Sequence, residues 1–443
     1  MTGDVADRGF ERVRALLFLA TGLAVPLYAF PPVRLAGKPV DLATIFAAVF
    51  VAASLLSLLP ARGRMLAPAV AVLAAAVPLA VLLPPRPSSF ATGRFLSSAA
   101  HWALLIAFFA AAAAWRPSAV WRRRIVLANL AAGAAVALFA LYQLVGNPRG
   151  WPGTGPVIAS WQREPFRFTP IGGFKRPTSL FLEPAWMGGY LAGTLALALL
   201  WPSESRRESA LRWAAAILGV AAIAASVSWG AYVDAAVVLA AASLYRTSRR
   251  SSSRRAAGVA AAAVALAAAL ALTTPPARRV LAAVGERLAL LRNTTANEAS
   301  GAADTPRVRL RNASHAWRLF AEHPWRGVGF GQFGRYAWDV PKGPERAFEE
   351  SLSRRDPWCG WLTIAAEAGF AGPLVLAAAV AIAARRARGA AAGVVAALAA
   401  LAVVQQIHTG SYIDLWWWYP LGLAAALGAS ADARSGALAS GPA

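Results

Sequence analysis

Uncharged apolar blocks of about 17–25 residues recur along the whole chain and leave few folds open to it. A helix in lipid closes its backbone hydrogen bonds within itself, so repeated blocks of this length predict a bundle of membrane-spanning helices. Twelve spans are expected, near 13–30, 41–59, 65–83, 95–115, 124–145, 185–201, 211–227, 230–245, 256–273, 358–383, 389–407 and 413–429. The expected fold class is therefore all-α, a polytopic integral membrane protein with two long outer loops that contain short helices. The first apolar run lacks a small-residue cleavage site and reads as a span rather than a signal peptide.

Charge placement orients the spans. With the N-terminus inside, the connections "PARGR", "RPSAVWRRR", "PSESRRESALR", "RTSRRSSSRR" and "RRARG" are cytoplasmic, and all are basic. The intervening short loops carry fewer Lys and Arg, the positive-inside pattern, which puts both termini in the cytoplasm. It also supplies much of the formal net charge of +23 without any nucleic-acid partner. The chain then divides into five N-terminal spans (1–145), a first outer loop (146–184), central spans (185–273), a large outer loop (274–357), and C-terminal spans with a cytoplasmic tail (358–443).

The two outer loops break the rule of short connections, and long connections in compact folds usually carry function. Both are basic. The first has Arg149, Arg163, Arg167, Lys175 and Arg176 against Glu164 and Glu183, and the second has 14 basic residues against 9 acidic. Basic charge outside implies an anionic ligand, with a surface facing lipid headgroups as the alternative. In the second loop, "RVRLRNASHAWRLFAEH" (307–323) predicts a helix with Leu310, Ala313, Trp317 and Phe320 on one face. Its other face carries Arg311, His315, Arg318 and Glu322. Such a helix lies on the membrane or packs over the bundle. A second helix is expected over 278–292. The single cysteine, Cys359, excludes a disulfide framework, and the four histidines lack metal-ligand spacing, so no metal and no cofactor are expected.

Three segments carry the chemistry: "FKRPTSLFLEPAWMGGYL" (174–191), "AWRLFAEHPWRGVGFGQF" (316–333) and "DPWCGWLTIAAEAGFAG" (356–372). "GVGFG" (327–331) predicts tight turns. Phosphate binding by its N–H groups is the alternative, although no strand–helix context makes it a P-loop. Asp234, Gln405–Gln406 and Glu367 are polar groups inside predicted spans. "DLWWWYP" (414–420) reads as an interfacial aromatic belt, with stacking on a glycan as the alternative.

On these segments the chain resembles the O-antigen ligase and polymerase family of bacterial membrane glycosyltransferases. The family's arginine-led segment before a span corresponds to Arg176–Gly189. Its "HP-x-x-GVGFG-x-F" segment corresponds to His323–Phe333, and its "E-x-G-x-x-G" segment to the stretch from Trp358 to Gly372. The resemblance implies an inner-membrane enzyme facing the periplasm. It implies a glycan donor on undecaprenyl pyrophosphate, a glycan or lipid-linked acceptor, and inverting transfer without a metal. Arginines then balance the departing pyrophosphate: Arg176 in the first loop, and Arg311 in the second with Arg307 and Arg309 as rivals by register. Trp358 stands where the ligases place a histidine, which leaves Glu183 and Asp356 as candidate bases, with His315 as a further one. Lys175, His315, Arg318, His323, Arg326 and Trp358 are the expected substrate contacts, His323 also as a local cap before Pro324. The missing histidine and the "FLEP" form favour polymerase or exopolysaccharide assembly over ligase. A transporter or flippase, or a non-enzymatic assembly protein, is the alternative of another class.

Overall fold

The computed structural model describes residues 2–29, 33–35, 38–58, 89–154, 175–181, 183–248, 282, 285, 306–336, 359–409 and 414–428. The N-terminal half contains α1 (Thr2–Ala24), α2 (Leu42–Leu58), α3 (Ser89–Ala114), α4 (Ala119–Gly146), α5 (Pro184–Leu200), α6 (Arg206–Ala225) and α7 (Trp229–Ser248). The C-terminal half contains α8 (Pro306–Glu322), α9 (Phe333–Tyr336), α10 (Gly360–Ala368), α11 (Ala371–Arg385), α12 (Ala392–His408) and α13 (Leu415–Leu427). One antiparallel pairing, β1 (Val33–Leu35) with β2 (Lys38–Val40) in register Val33↔Val40, occupies the loop between α1 and α2. Apart from this small hairpin the described residues are helical, in keeping with the all-α expectation. The predicted spans near 65–83 and 256–273 lie outside the described residues, as does most of the helix expected over 278–292.

Three helical stretches are long and apolar enough to cross a membrane: Phe95–Ala114, Ala119–Arg149 and Arg206–Ala225. The shorter apolar helices Leu42–Leu56, Pro184–Leu200, Trp229–Tyr245, Ala371–Arg385 and Ala392–His408 accompany them. Polar residues in the connections set the helix ends. Pro184, with no N–H to leave unpaired, opens α5. Ser205 caps α6 by accepting the N–H of Glu208 at 3.2 Å, and the Glu208 carboxylate accepts the N–H of Glu204 at 2.8 Å. The same carboxylate pairs with Arg123 of α4, and Arg212 donates to the Ala198 carbonyl at the end of α5.

Packing builds two connected halves. α1, α2, α3 and α13 share an aromatic core in which Phe18 meets Phe50, Phe108, Trp115 and Tyr419 at ring distances of 5.1–5.7 Å. α4, α5, α6 and α7 pack side by side, and α12 lies against α5, α7, α11 and α13. α13 is thus enclosed. Trp416, Trp417, Trp418 and Tyr419 are all buried, Trp417 Nε1 donating to the Ala402 carbonyl at 2.9 Å and Trp416 stacking on Trp186. The expected interfacial belt is therefore corrected to a packing helix, as befits a helix that is apolar all round.

One further expectation changes, and another gains detail. The predicted continuous span 358–383 is two helices, α10 and α11, parted at Gly369–Phe370. The reason is one of length. Gly360 donates to the Thr409 carbonyl at the end of α12, and α11 turns back into the start of α12. Twenty-six residues from 360 to 385 make about 39 Å of straight helix against about 26 Å for α12, so the longer path must bend. On α8 the packed face is Asn312, Ala316 and Leu319, whereas Leu310 and Trp317, on the face predicted to be apolar, are exposed at 72% and 59%.

Candidate functional site

The second and third segments clasp one another. The N–H groups of Val328 and Gly329 donate to the carbonyls of Ala366 and Glu367 at 2.8 and 2.9 Å. Those of Gly331 and Phe333 donate to the Glu367 carboxylate at 2.8 and 3.0 Å, and Phe370 N–H returns to the Pro324 carbonyl at 2.8 Å. The contact is too close for side chains. A Cβ on Gly327 (φ +63°) would strike the Glu367 carbonyl, and one on Gly369 (φ +61°) would strike the Pro324 carbonyl. Only glycine takes both the positive φ and the approach. Buried Glu367 thus receives the donors that a phosphate would need, and the "GVGFG" turn folds the segment rather than cradling an anion. Ala316 and Leu319 of α8 complete the clasp with Val328, Phe333 and Ala366, while Phe330 inserts against Trp102 of α3 at 4.8 Å.

The first segment is fastened to α4 by Gln143. Its buried amide accepts the N–H groups of Thr178 and Ser179 at 3.1 and 2.7 Å and donates to the Ser179 carbonyl at 3.1 Å. Ser179 Oγ donates to the Val136 carbonyl at 2.8 Å, which holds Ser179 at φ +53°, an uncommon conformation for a non-glycine residue. Beyond this turn, Gly188 and Gly189 let α5 meet α7 and α12 with no side chain between. A Cβ on Gly189 would lie 2.7 Å from Gln405 Nε2 and 3.1 Å from Asp234 Oδ2.

There the segments converge on a polar cluster inside apolar helices. His408 Nε2 lies 2.8 Å from Asp234 Oδ1, and Gln405 Nε2 donates to Asp234 Oδ2 at 3.3 Å. Gly360, which opens α10 within the third segment, packs directly on the Gln406 side chain. That amide is fully buried and makes no hydrogen bond among the described residues. The cluster thus touches α5 of the first segment and α10 of the third.

The candidate residues stand on two supports. Lys175 is exposed and Arg176 half-buried in the turn fixed by Gln143, and half-buried Glu183 directly precedes α5. On α8 and the turn after it, His315 is half-buried and Arg318, His323 and Arg326 are exposed, Arg318 lying 4.0 Å from Glu322. The His323 contribution at the turn is its carbonyl, which accepts the N–H of Gly327 at 2.9 Å. Arg311 belongs to α8, but its side chain, together with Asp356 and Trp358, lies outside the described residues. Two positioning groups were not singled out from the sequence. Gln143 had no signal beyond being polar in a span. His408 had one: it ends a predicted span at the same end of the bundle at which Asp234 begins another, and ionisable groups at matching depth pair.

Residues 214–377 match the model of the family described as O-Antigen ligase. No curated protein matches the chain. The matched stretch runs from α6 into α11 and so contains Asp234, α8, the "GVGFG" turn and Glu367. Over those residues the chain is similar to the O-antigen ligase family, and its long apolar helices accord with a membrane protein.

Proposed function

We propose that this chain belongs to the O-antigen ligase and polymerase family and moves a glycan from undecaprenyl pyrophosphate to a sugar hydroxyl at the periplasmic face of the inner membrane. The carrying observation is the family match over 214–377, whose segments form the clasp of α8, the 327–333 turn and α10. A family of glycan-transferring enzymes supports the reaction type, and the basic outer loops support an anionic donor.

In the reaction the anomeric C–O bond to pyrophosphate breaks as the acceptor oxygen bonds to the anomeric carbon from the opposite face, inverting it. Negative charge gathers on the leaving phosphate oxygen. Arg176 and Arg311 stabilise it with fixed guanidinium donors and no metal ion. Lys175, Arg318 and Arg326 draw the donor's phosphates toward the site. The basic short connections keep both termini cytoplasmic, so the end of the bundle carrying both long loops faces the periplasm. Within the family we favour chain-lengthening polymerisation over ligation to lipid A core.

The test is transfer by membranes containing the Arg176→Ala variant at wild-type abundance. Transfer from lipid-linked glycan is expected to fall about 10²–10³-fold, as when one charge-stabilising donor is lost. Undiminished transfer would exclude Arg176 from the site. The products separate the two modes: polymerisation yields a ladder of chain lengths, and ligation a single capped lipid.

A further inference from the structure

The polar cluster between α7 and α12 holds an imidazole against a buried carboxylate. His408 contacts Asp234 Oδ1 through Nε2 at 2.8 Å, while the other carboxylate oxygen accepts from Gln405. Asp234 is buried completely and the His408 side chain keeps 15% exposure, so the carboxylate is the inner partner and the ring the outer one. In a neutral ring a carboxylate at Nε2 favours the tautomer with its proton there, and the lone pair is then on Nδ1. Nδ1 lies over Gly230, where a Cβ would stand 2.8 Å from it. It makes no hydrogen bond among the described residues. The buried Gln406 amide, unbonded among those residues, is the next residue but one along α12 from His408. The cluster is therefore assembled with polar capacity left over, in helices where ionisable groups are costly. It lies where Gly189 of the first segment and Gly360 of the third abut α12.

We propose that His408 is the base of the transfer reaction and that Asp234 positions it; this rests on the glycosyl-transfer reading above. As the acceptor oxygen bonds to the anomeric carbon, its O–H bond breaks and the proton passes to Nδ1. The electron pair of the broken anomeric C–O bond leaves on the pyrophosphate oxygen. The imidazolium is balanced by the Asp234 carboxylate, and Gln405 keeps that carboxylate facing the ring. This gives the base to α12 in place of Glu183 or Asp356.

The full-length chain in lipid is assayed for transfer from an undecaprenyl-pyrophosphate-linked glycan. His408→Ala is expected to lower kcat about 10²–10⁴-fold, the usual contribution of a general base, with the donor KM within about threefold of wild type. Added imidazole is expected to restore kcat at least about tenfold, which repairing a packing defect would not do. Asp234→Asn is expected to lower kcat in the wild-type background and to add no further loss to His408→Ala. A His408→Ala variant with kcat within threefold of wild type, or a loss that imidazole leaves unchanged, overturns the assignment while transfer by the wild type stands. Absence of transfer by the wild-type chain would instead remove the glycosyl-transfer reading, and this inference with it.

Discussion

A carboxylate inside an apolar bundle is stable only where donors surround it, and Glu367, 3% exposed, takes two backbone N–H groups from the turn it faces. Removing it strands both donors. Glu367→Ala is expected to destabilise the chain by about 1–3 kcal/mol for each stranded N–H, read as a lowered thermal unfolding midpoint in detergent. Gln143 presents the same logic with an amide. It satisfies three backbone groups of residues 178–179, so Gln143→Ala is expected to loosen that turn and speed proteolysis next to Arg176; unchanged cleavage would show that the turn holds itself. Neither role was legible in the sequence. Hydropathy marks a polar residue in a span as costly, but its partner lies 34–36 residues away in each case and leaves no periodic trace. The charged candidates Arg176 and Glu183 were legible because they crowd the mouth of an apolar run.

At the scale of elements, the apolar blocks located α2, α3, α4, α5, α6, α7, α12 and α13 to within about a turn or two, since lipid-length apolarity is a strong and local signal. It could not show the bend between α10 and α11. Residues 361–384 are apolar apart from Thr363 and Glu367, a pattern that gives no sign of a break, and the bend arises from contact with Pro324 and from the length of α12. Gly369 marks it, with φ +61° and ψ −153°, a conformation nearly confined to glycine. Gly369→Ala is expected to cost about 1–3 kcal/mol in backbone strain, with the clash against Pro324 added. Hydrogen exchange across 324–333 and 366–370 reads out the loosened clasp. The surroundings of α13 were misread for a related reason. Amphipathic pattern tells which side of a helix is apolar, not which side a neighbour covers, and α8 turns Asn312, Ala316 and Leu319 to the clasp while Trp317 and Trp325 remain exposed.

At the scale of the whole molecule, three separated segments meet around one end of a helical bundle. The first is tied to α4, the second and third are tied to each other, and glycine contacts bring the first and third against the Asp234–His408–Gln405 cluster. An enzyme that moves a glycan between lipid-linked partners needs such convergence, because donor phosphates, anomeric carbon and acceptor hydroxyl must be held together with little freedom. The decisive measurement is made on the purified wild-type chain in lipid vesicles supplied with an undecaprenyl-pyrophosphate-linked glycan and a glycan acceptor. The account predicts release of undecaprenyl pyrophosphate one for one with new glycosidic bonds. Vesicles in which the chain is folded and the donor stays intact would contradict it.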